Sequence, residues 1–385
     1  MTSSELSTPF PWKRAKDYLV YDQEDNAYID MTSGIFVANA GHSNPKIVEA
    51  LQKHLCKDLL FAYHYPTDEK QELEEKLLEL APGFDQVCLM SSGSEATDTA
   101  VQLMLKKGAK KDREYILSFH RSYHGRTLGS SLVSGSTERN ATIDEWVRWL
   151  YFPCGEEELF NPLDTRVDPD EIAGVIIETY QGWCAGFYPE TYLKDLCQWA
   201  QDHDIMICVD DIQAGFYRCG TLFGYQSYGD YLKPDLLCLG KGLTSSLPMS
   251  ALLTKGNLDP IGSGGTHGGN TLCCAAALAN IEFLTDPTFQ KDYQKRAAYF
   301  EQAVRKLEKL ENVRQVNARG MIAAVIFHDS DTADQVVKHC HENKVLPVHT
   351  GTTSIKLGPP LTIPKPAIDA ALGTIRNGAT LCLTT

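Results

Sequence analysis

Between about Val87 and Leu253 the chain alternates short apolar runs with longer amphipathic ones. VCLMSS, YILSF, AGVIIET, IMICVD, DLLCLG and MSALL read as strands; SEATDTAVQLMLKKGAK and ETYLKDLCQWAQDHD read as helices. Near-continuous apolar strands are buried on both faces, so the alternation predicts an α/β fold whose mostly parallel sheet is covered by helices. In such a sheet ligands sit beyond the carboxyl ends of the strands. The polar residues with chemistry to offer gather there: residues 91–94, residues 120–126, Glu178, residues 210–213 and Lys241.

After Asn270 the pattern changes. Helical runs at 272–284 and 289–310 lead to the strand-like MIAAVIF, a helix over 332–343 and a short strand at 354–357. With 385 residues to divide, this reads as a smaller α/β domain. The expected division is residues 1–40 as an N-terminal segment packing with the small domain, 41–284 as the large domain and 285–385 as the small one. Within the first segment YLVYDQEDNAYIDM reads as a hairpin that turns at Glu24, Asp25 and Asn26.

A formal net charge of −14 argues against nucleic acid, whose affinity rests on Lys and Arg against phosphates. MTSSELSTPFPWKRAKDY lacks the apolar core of a secretory segment, and no later run is long enough to span a bilayer. The twelve cysteines therefore read as reduced, mostly buried thiols of a cytoplasmic protein rather than as disulfides. No C-x-x-C pair occurs, and His339, Cys340 and His341 lie in a helical pattern without a second ligand cluster, so no metal site is expected.

Two segments carry the most chemistry. In CVDDIQAGFYRCG, Asp210 closes a strand; in CLGKGL, Lys241 follows another. Alone, Asp210 suits a helix cap or a metal, and Lys241 suits a solvated turn. Together, an acid at the end of one strand and an amine at the end of a later one suit pyridoxal 5'-phosphate (PLP). The lysine bonds the cofactor aldehyde, and the acid keeps the pyridine nitrogen protonated so that the ring accepts electrons. SSGSEATDTA adds a strand–turn–helix junction in which Gly93 permits close backbone approach and Ser94 opens a helix whose free N–H groups suit a phosphate; a plain capping turn with Ser94 as N-cap is the alternative.

With these motifs in order, the chain resembles the class III (ω-amino acid type) aminotransferases of the fold-type I PLP enzymes over residues 18–361. The resemblance implies a seven-stranded, mostly parallel sheet in the large domain. It makes Lys241 the cofactor-bonding lysine, Asp210 the partner of the pyridinium nitrogen and Gln213 a donor to the phenolic oxygen. Glu178 becomes a site glutamate, and Tyr123 in FHRSYHGRTLGS stacks on the ring, with core packing as its alternative. Arg126 resembles a carboxylate-binding arginine, with a surface salt bridge as its alternative. Thr266 in GGTHGGN resembles a threonine that reaches the phosphate from the neighbouring subunit, which implies a homodimer with sites at its interface. His124 receives no role.

The implied reaction is ping-pong transfer of an amino group from an amino acid or amine to a 2-oxo acid or aldehyde. A racemase or epimerase on the same fold is the alternative. Several departures bear on the substrate. Asp211 stands where glutamate is more usual, and Thr179 where proline is. Trp183 takes the place of a glutamate that masks a carboxylate-binding arginine in many members, and Lys356 in SIKLGPPL takes the place of that arginine. Tryptophan accepts no salt bridge, and lysine offers a point charge without the bidentate fork. Weakened dicarboxylate recognition is expected, in a pocket made more apolar by Trp183, Phe36 and Ile35.

Overall fold

The computed structural model describes residues 10–63, 65–135, 146–153, 161, 167–257 and 264–383. The chain divides into two compact units: Leu51–Gly215 with Phe223–Leu278, and Met1–Ala50 with Phe216–Leu222 and Ala279–Thr385.

The first unit is built on a seven-stranded sheet. In spatial order its strands are Gln86–Met90, Ser250–Thr254, Leu236–Leu239, Met206–Asp210, Ile172–Glu178, Tyr115–Phe119 and Val147–Leu150. Ser250–Thr254 runs antiparallel to both neighbours, and the other pairings are parallel, as the alternating pattern implies. All seven residues of Ile172–Glu178 and all four of Leu236–Leu239 are buried, which is why these segments show no polar alternation. Val147–Leu150, the far edge strand, is absent from the apolar pattern. Arg148 and Trp149 are only half-buried, so an edge strand of four residues leaves too little signal.

The helix Gly93–Gly108 lies on this sheet, with Ala96, Ala100, Val101, Leu103 and Met104 buried among Cys88, Ile116, Ile176, Cys208 and Leu252. Its N-cap is Ser92 rather than Ser94. The Ser92 hydroxyl accepts from the Glu95 N–H at 3.3 Å, and the Glu95 carboxylate accepts from the amides of Ser91 and Ser92 at 2.7 and 3.1 Å. This reciprocal box satisfies orphan amides on both sides of the cap and places Gly93 and Ser94 in the first turn.

The second unit holds two four-stranded sheets. One orders Arg14–Lys16, Leu19–Tyr21, Ala27–Asp30 and Val345–Leu346; the other orders Val313–Arg319, Ile322–Phe327, Ser354–Leu357 and Val348–His349. Leu19–Tyr21 and Ala27–Asp30 form the expected hairpin, with Asp25 in the left-handed region at its turn. The helix expected over 289–310 begins earlier, at Pro287 after the Asp286 cap. It runs to Arg305 and tightens into the 3-10 turn Lys306–Lys309. Each of the eleven described cysteines keeps its thiol outside any disulfide. Among the described residues no helix is long and apolar enough to cross a membrane, and no cluster of three His, Cys, Asp or Glu side chains could hold a metal.

Candidate active site

The carboxyl ends of the central strands converge. Ile172–Glu178 and Met206–Asp210 pair in parallel, and their last partners are Glu178 and Asp210, so register alone sets the two acids side by side. Both are buried, and each has both carboxyl oxygens engaged. Glu178 accepts the N–H of Tyr123 at 3.2 Å on one oxygen and that of Gly182 at 3.2 Å on the other. Asp210 accepts the Ile212 N–H at 3.1 Å on one oxygen, and Nδ1 of His124 lies 2.7 Å from the other.

These environments set the charges. Burial raises the Glu178 carboxyl to about 7; neighbouring Asp210 adds to the rise, while His124 and the two amides oppose it. The Lys241 ammonium is lowered from its usual range, chiefly by burial, against the pull of Asp210 and Glu178. Lys241 follows Leu236–Leu239 across Gly240 and opens the turn Lys241–Leu243 with a φ of +42°, a left-handed conformation uncommon for lysine and frequent at functional sites.

Around this core the other expected residues take distinct places. Gln213 lies in the turn after Asp210, its side-chain oxygen against the backbone of Gly182. Gly93 is pressed so close to Ile212 that a Cβ would meet its side chain at 2.8 Å. The Ser94 hydroxyl accepts the Arg126 N–H at 3.1 Å, which ties the helix start to the segment carrying Tyr123. Tyr123 is 49% exposed, so it is not a core residue. Arg126 and Thr266 are exposed, and Trp183 is half-buried in the loop bridged by Gln181 and Gly186. The structure thus gathers Lys241, Asp210, Glu178, Gln213, Gly93 and Ser94 with the backbone of Tyr123, and leaves Thr266 at the surface.

Ile35, Phe36 and Lys356 belong to the other unit. Ser33, Gly34, Ile35 and Phe36 have φ values of +51°, +62°, +62° and +66°, a left-handed turn that is costly for a β-branched residue. Several bonds hold it. The Thr32 hydroxyl accepts the Gly34 N–H at 3.0 Å, and the Ser33 hydroxyl donates to the Gly358 carbonyl at 2.5 Å. Fully buried Arg218 donates to Ser33 Oγ at 3.0 Å, Asn39 Oδ1 at 2.6 Å and the carbonyls of Met321 and Pro359 at 2.9 and 2.6 Å. Burial lowers its guanidinium to about 10. The Phe36 ring sits with Lys356 Nζ at 5.4 Å and the Arg218 guanidinium at 5.8 Å from its centre, and it presses on Gly358, where a Cβ would clash with it. Lys356 itself is 2% exposed.

Sequence reasoning passed over His124. Its Nε2 is buried without a hydrogen-bond partner among the described residues, while Nδ1 serves Asp210. A lone histidine between Tyr123 and Gly125 carries no pattern that separates it from a core residue.

The donor set matches one cofactor. A buried carboxylate at a strand end suits a pyridinium nitrogen, an amine of lowered basicity suits an aldehyde, and first-turn amides at Gly93 and Ser94 suit a phosphate. Comparison with known proteins agrees. The class-III aminotransferase family model matches residues 1–378. The chain is 31% identical to ornithine aminotransferase 2 of Staphylococcus aureus over 97% of its own length and 94% of that protein's. It is 29% identical to acetylornithine aminotransferase of Clostridium acetobutylicum over 92% of each. Its fold superposes with a TM-score of 0.87 on an amine transaminase from an uncultivated Pseudomonas species, solved in its PLP-bound form, at 21% identity over 99% and 98% of the two chains. The chain therefore belongs to the class-III aminotransferases and is a PLP-dependent enzyme that moves an amino group from a small-molecule donor to a carbonyl acceptor.

Proposed function

We propose that Lys241, Asp210 and Glu178 are the catalytic groups of this transaminase, with Gln213, Tyr123, Gly93, Ser94 and Thr266 holding the cofactor. The observation that carries the reading is the register that sets Glu178 beside Asp210 at the ends of two buried strands, with His124 bonded to Asp210. Bound PLP supplies an electron sink that makes the carbon bearing the amino group acidic. Lys241 Nζ, its basicity lowered by burial, would take the proton from that carbon and return it. Asp210 would hold the ring nitrogen, and His124 and the Ile212 amide keep its carboxylate oriented for that contact.

For the substrate, Lys356 stands where the family has a carboxylate-binding arginine and takes that role here, Arg126 matches a second carboxylate-binding arginine, and Trp183, which replaces the family's glutamate, joins Ile35 and Phe36 as apolar contacts. The place of Lys356 in the strand Ser354–Leu357, with its Nζ 5.4 Å from the centre of the Phe36 ring, supports the reading that it lies in the same pocket wall as Phe36. Lys356→Ala should raise KM for a 2-oxo dicarboxylate about tenfold and leave KM for an uncharged aldehyde within twofold. Equal KM values for the dicarboxylate in the two proteins would remove Lys356 from the substrate site.

The enzyme acts as a homodimer in the cytoplasm on this reading. Exposed Tyr123 and Thr266 share unit Leu51–Gly215 with Phe223–Leu278 with an apolar surface of Leu59, Leu60, Phe61, Tyr63 and Tyr65. Phe61 lies 5.1 Å from His267, and the Asn270 side chain donates to the Leu60 carbonyl at 2.9 Å, so the apolar loop and the Thr266 loop form one face.

A further inference from the structure

Thr179 and Asp211, two departures from the family pattern that lie thirty-two residues apart, meet in one hydrogen bond: the Thr179 hydroxyl donates to Asp211 Oδ1. We propose that this bond is a clamp that fixes the relative height of the strand ends carrying Glu178 and Asp210, so that Asp211 acts as a positioning residue for amino transfer. The inference rests on the reading of those two acids as catalytic.

The geometry supports a clamp. Thr179 and Asp211 are the residues immediately beyond the paired ends Glu178 and Asp210, so their bond extends the ladder by one step after the backbone pairing stops. Both are buried, at 1% and 0% exposure. Asp211 is tied on every side: Oδ2 accepts the Tyr225 N–H at 3.0 Å, its N–H donates to the Cys238 carbonyl at 3.0 Å, and its carbonyl accepts the Gly215 N–H at 2.9 Å. The Thr179 carbonyl accepts the Tyr228 hydroxyl at 2.8 Å. The turn at Gly224 presses on the bond itself. A Cβ there would come within 2.5 Å of the Thr179 hydroxyl and 2.7 Å of the Asp211 carboxylate, so no side chain fits.

The chemistry makes the two departures one change. Proline at 179 has no hydroxyl to donate, and glutamate at 211 would push its carboxyl one methylene further into a packed turn. Burial raises the Asp211 carboxyl to about 7, opposed by the Thr179 hydroxyl and the Tyr225 and Gly224 amides, so removing the hydroxyl deprives it of a favourable partner. Because Asp211 touches neither of the acids' oxygens in the bonds described above, its effect on them is through the backbone.

The test compares Thr179→Val, Thr179→Ser, Asp211→Asn and the double variant Thr179→Val/Asp211→Asn, with Asp210→Asn in parallel. Four quantities are read: kcat, KM, the visible absorption of bound PLP across pH, and thermal midpoint of the PLP-free protein. Thr179→Val and Asp211→Asn should each lower kcat about tenfold, leave KM within twofold and displace the pH midpoint of the absorption change in the same direction. The double variant should be no worse than the weaker single variant, and Thr179→Ser should behave as the parent. If Thr179→Val keeps parental kcat and absorption and loses only thermal stability, or if the two losses multiply, the clamp is overturned. Thr179→Val decides the matter even where Asp211→Asn fails to fold. A normal Asp210→Asn overturns the underlying reading instead; a crippled Asp210→Asn beside a normal Thr179→Val overturns the clamp alone.

Discussion

Asp210 and Glu178 have every carboxyl oxygen engaged by groups of their own chain, whereas Tyr123 and Thr266, assigned to the same cofactor, stand at the surface. Both regions lie in one unit of the molecule. On the proposed reading, the difference separates what folding completes from what is left to association. Strand register and backbone amides orient the acids before any ligand arrives, which is the preorganisation that electrostatic catalysis requires. Beside the Thr266 loop lie Leu59, Leu60, Phe61, Tyr63 and Tyr65, all at least 37% exposed, and in the proposed homodimer a second copy of the chain would cover them.

The largest expected break in that comparison comes from the exposed side. Phe61→Asp places a charge in the apolar loop and should convert the proposed dimer to monomer, seen by light scattering, with activity falling about 10²-fold or more and the fold intact by circular dichroism. A fully active monomer would show that folding alone completes both sides of the site.

An effect on stability rather than on turnover belongs to the buried side. Because the folded Glu178 carboxyl is raised to about 7 from an ordinary value of 4.5, the folded protein holds a proton there that the unfolded chain has already lost. That contribution is full below the unfolded value, falls as pH rises between the two, and is gone above about 7. Glu178→Gln removes the titration. The stability of the variant relative to the parent should therefore rise with pH from about 5 to 8, by on the order of 3 kcal/mol, in PLP-free protein. A pH-independent difference would mean that Glu178 is not held in a charge-disfavouring place.

The fold was legible because parallel strands buried on both faces advertise themselves as apolar runs, and Ile172–Glu178 and Leu236–Leu239 do so without interruption. The edge strand Val147–Leu150 was not, since half of it is only partly covered. Asp210 and Lys241 could be found because each is a polar residue closing an apolar run. His124 could not, because what marks it is a contact with Asp210, eighty-six residues away. The Thr179–Asp211 bond was visible only as two unrelated departures, and the left-handed turn at Ser33–Phe36 had a single glycine to announce four residues of positive φ. Side-chain partners across the sheet are set by packing, which residue spacing does not encode.

The central claim is that Asp210 and Lys241 address one cofactor from neighbouring strand ends. It is tested most directly by titrating PLP into the parent, Lys241→Ala and Asp210→Asn proteins while recording visible absorption, then adding an amine. The parent should turn yellow and bleach. Lys241→Ala should bind PLP without the yellow band of a lysine-bonded cofactor, and Asp210→Asn should turn yellow but bleach about 10²–10³-fold more slowly. A yellow Lys241→Ala protein, or an Asp210→Asn protein that bleaches at the parental rate, would contradict the account.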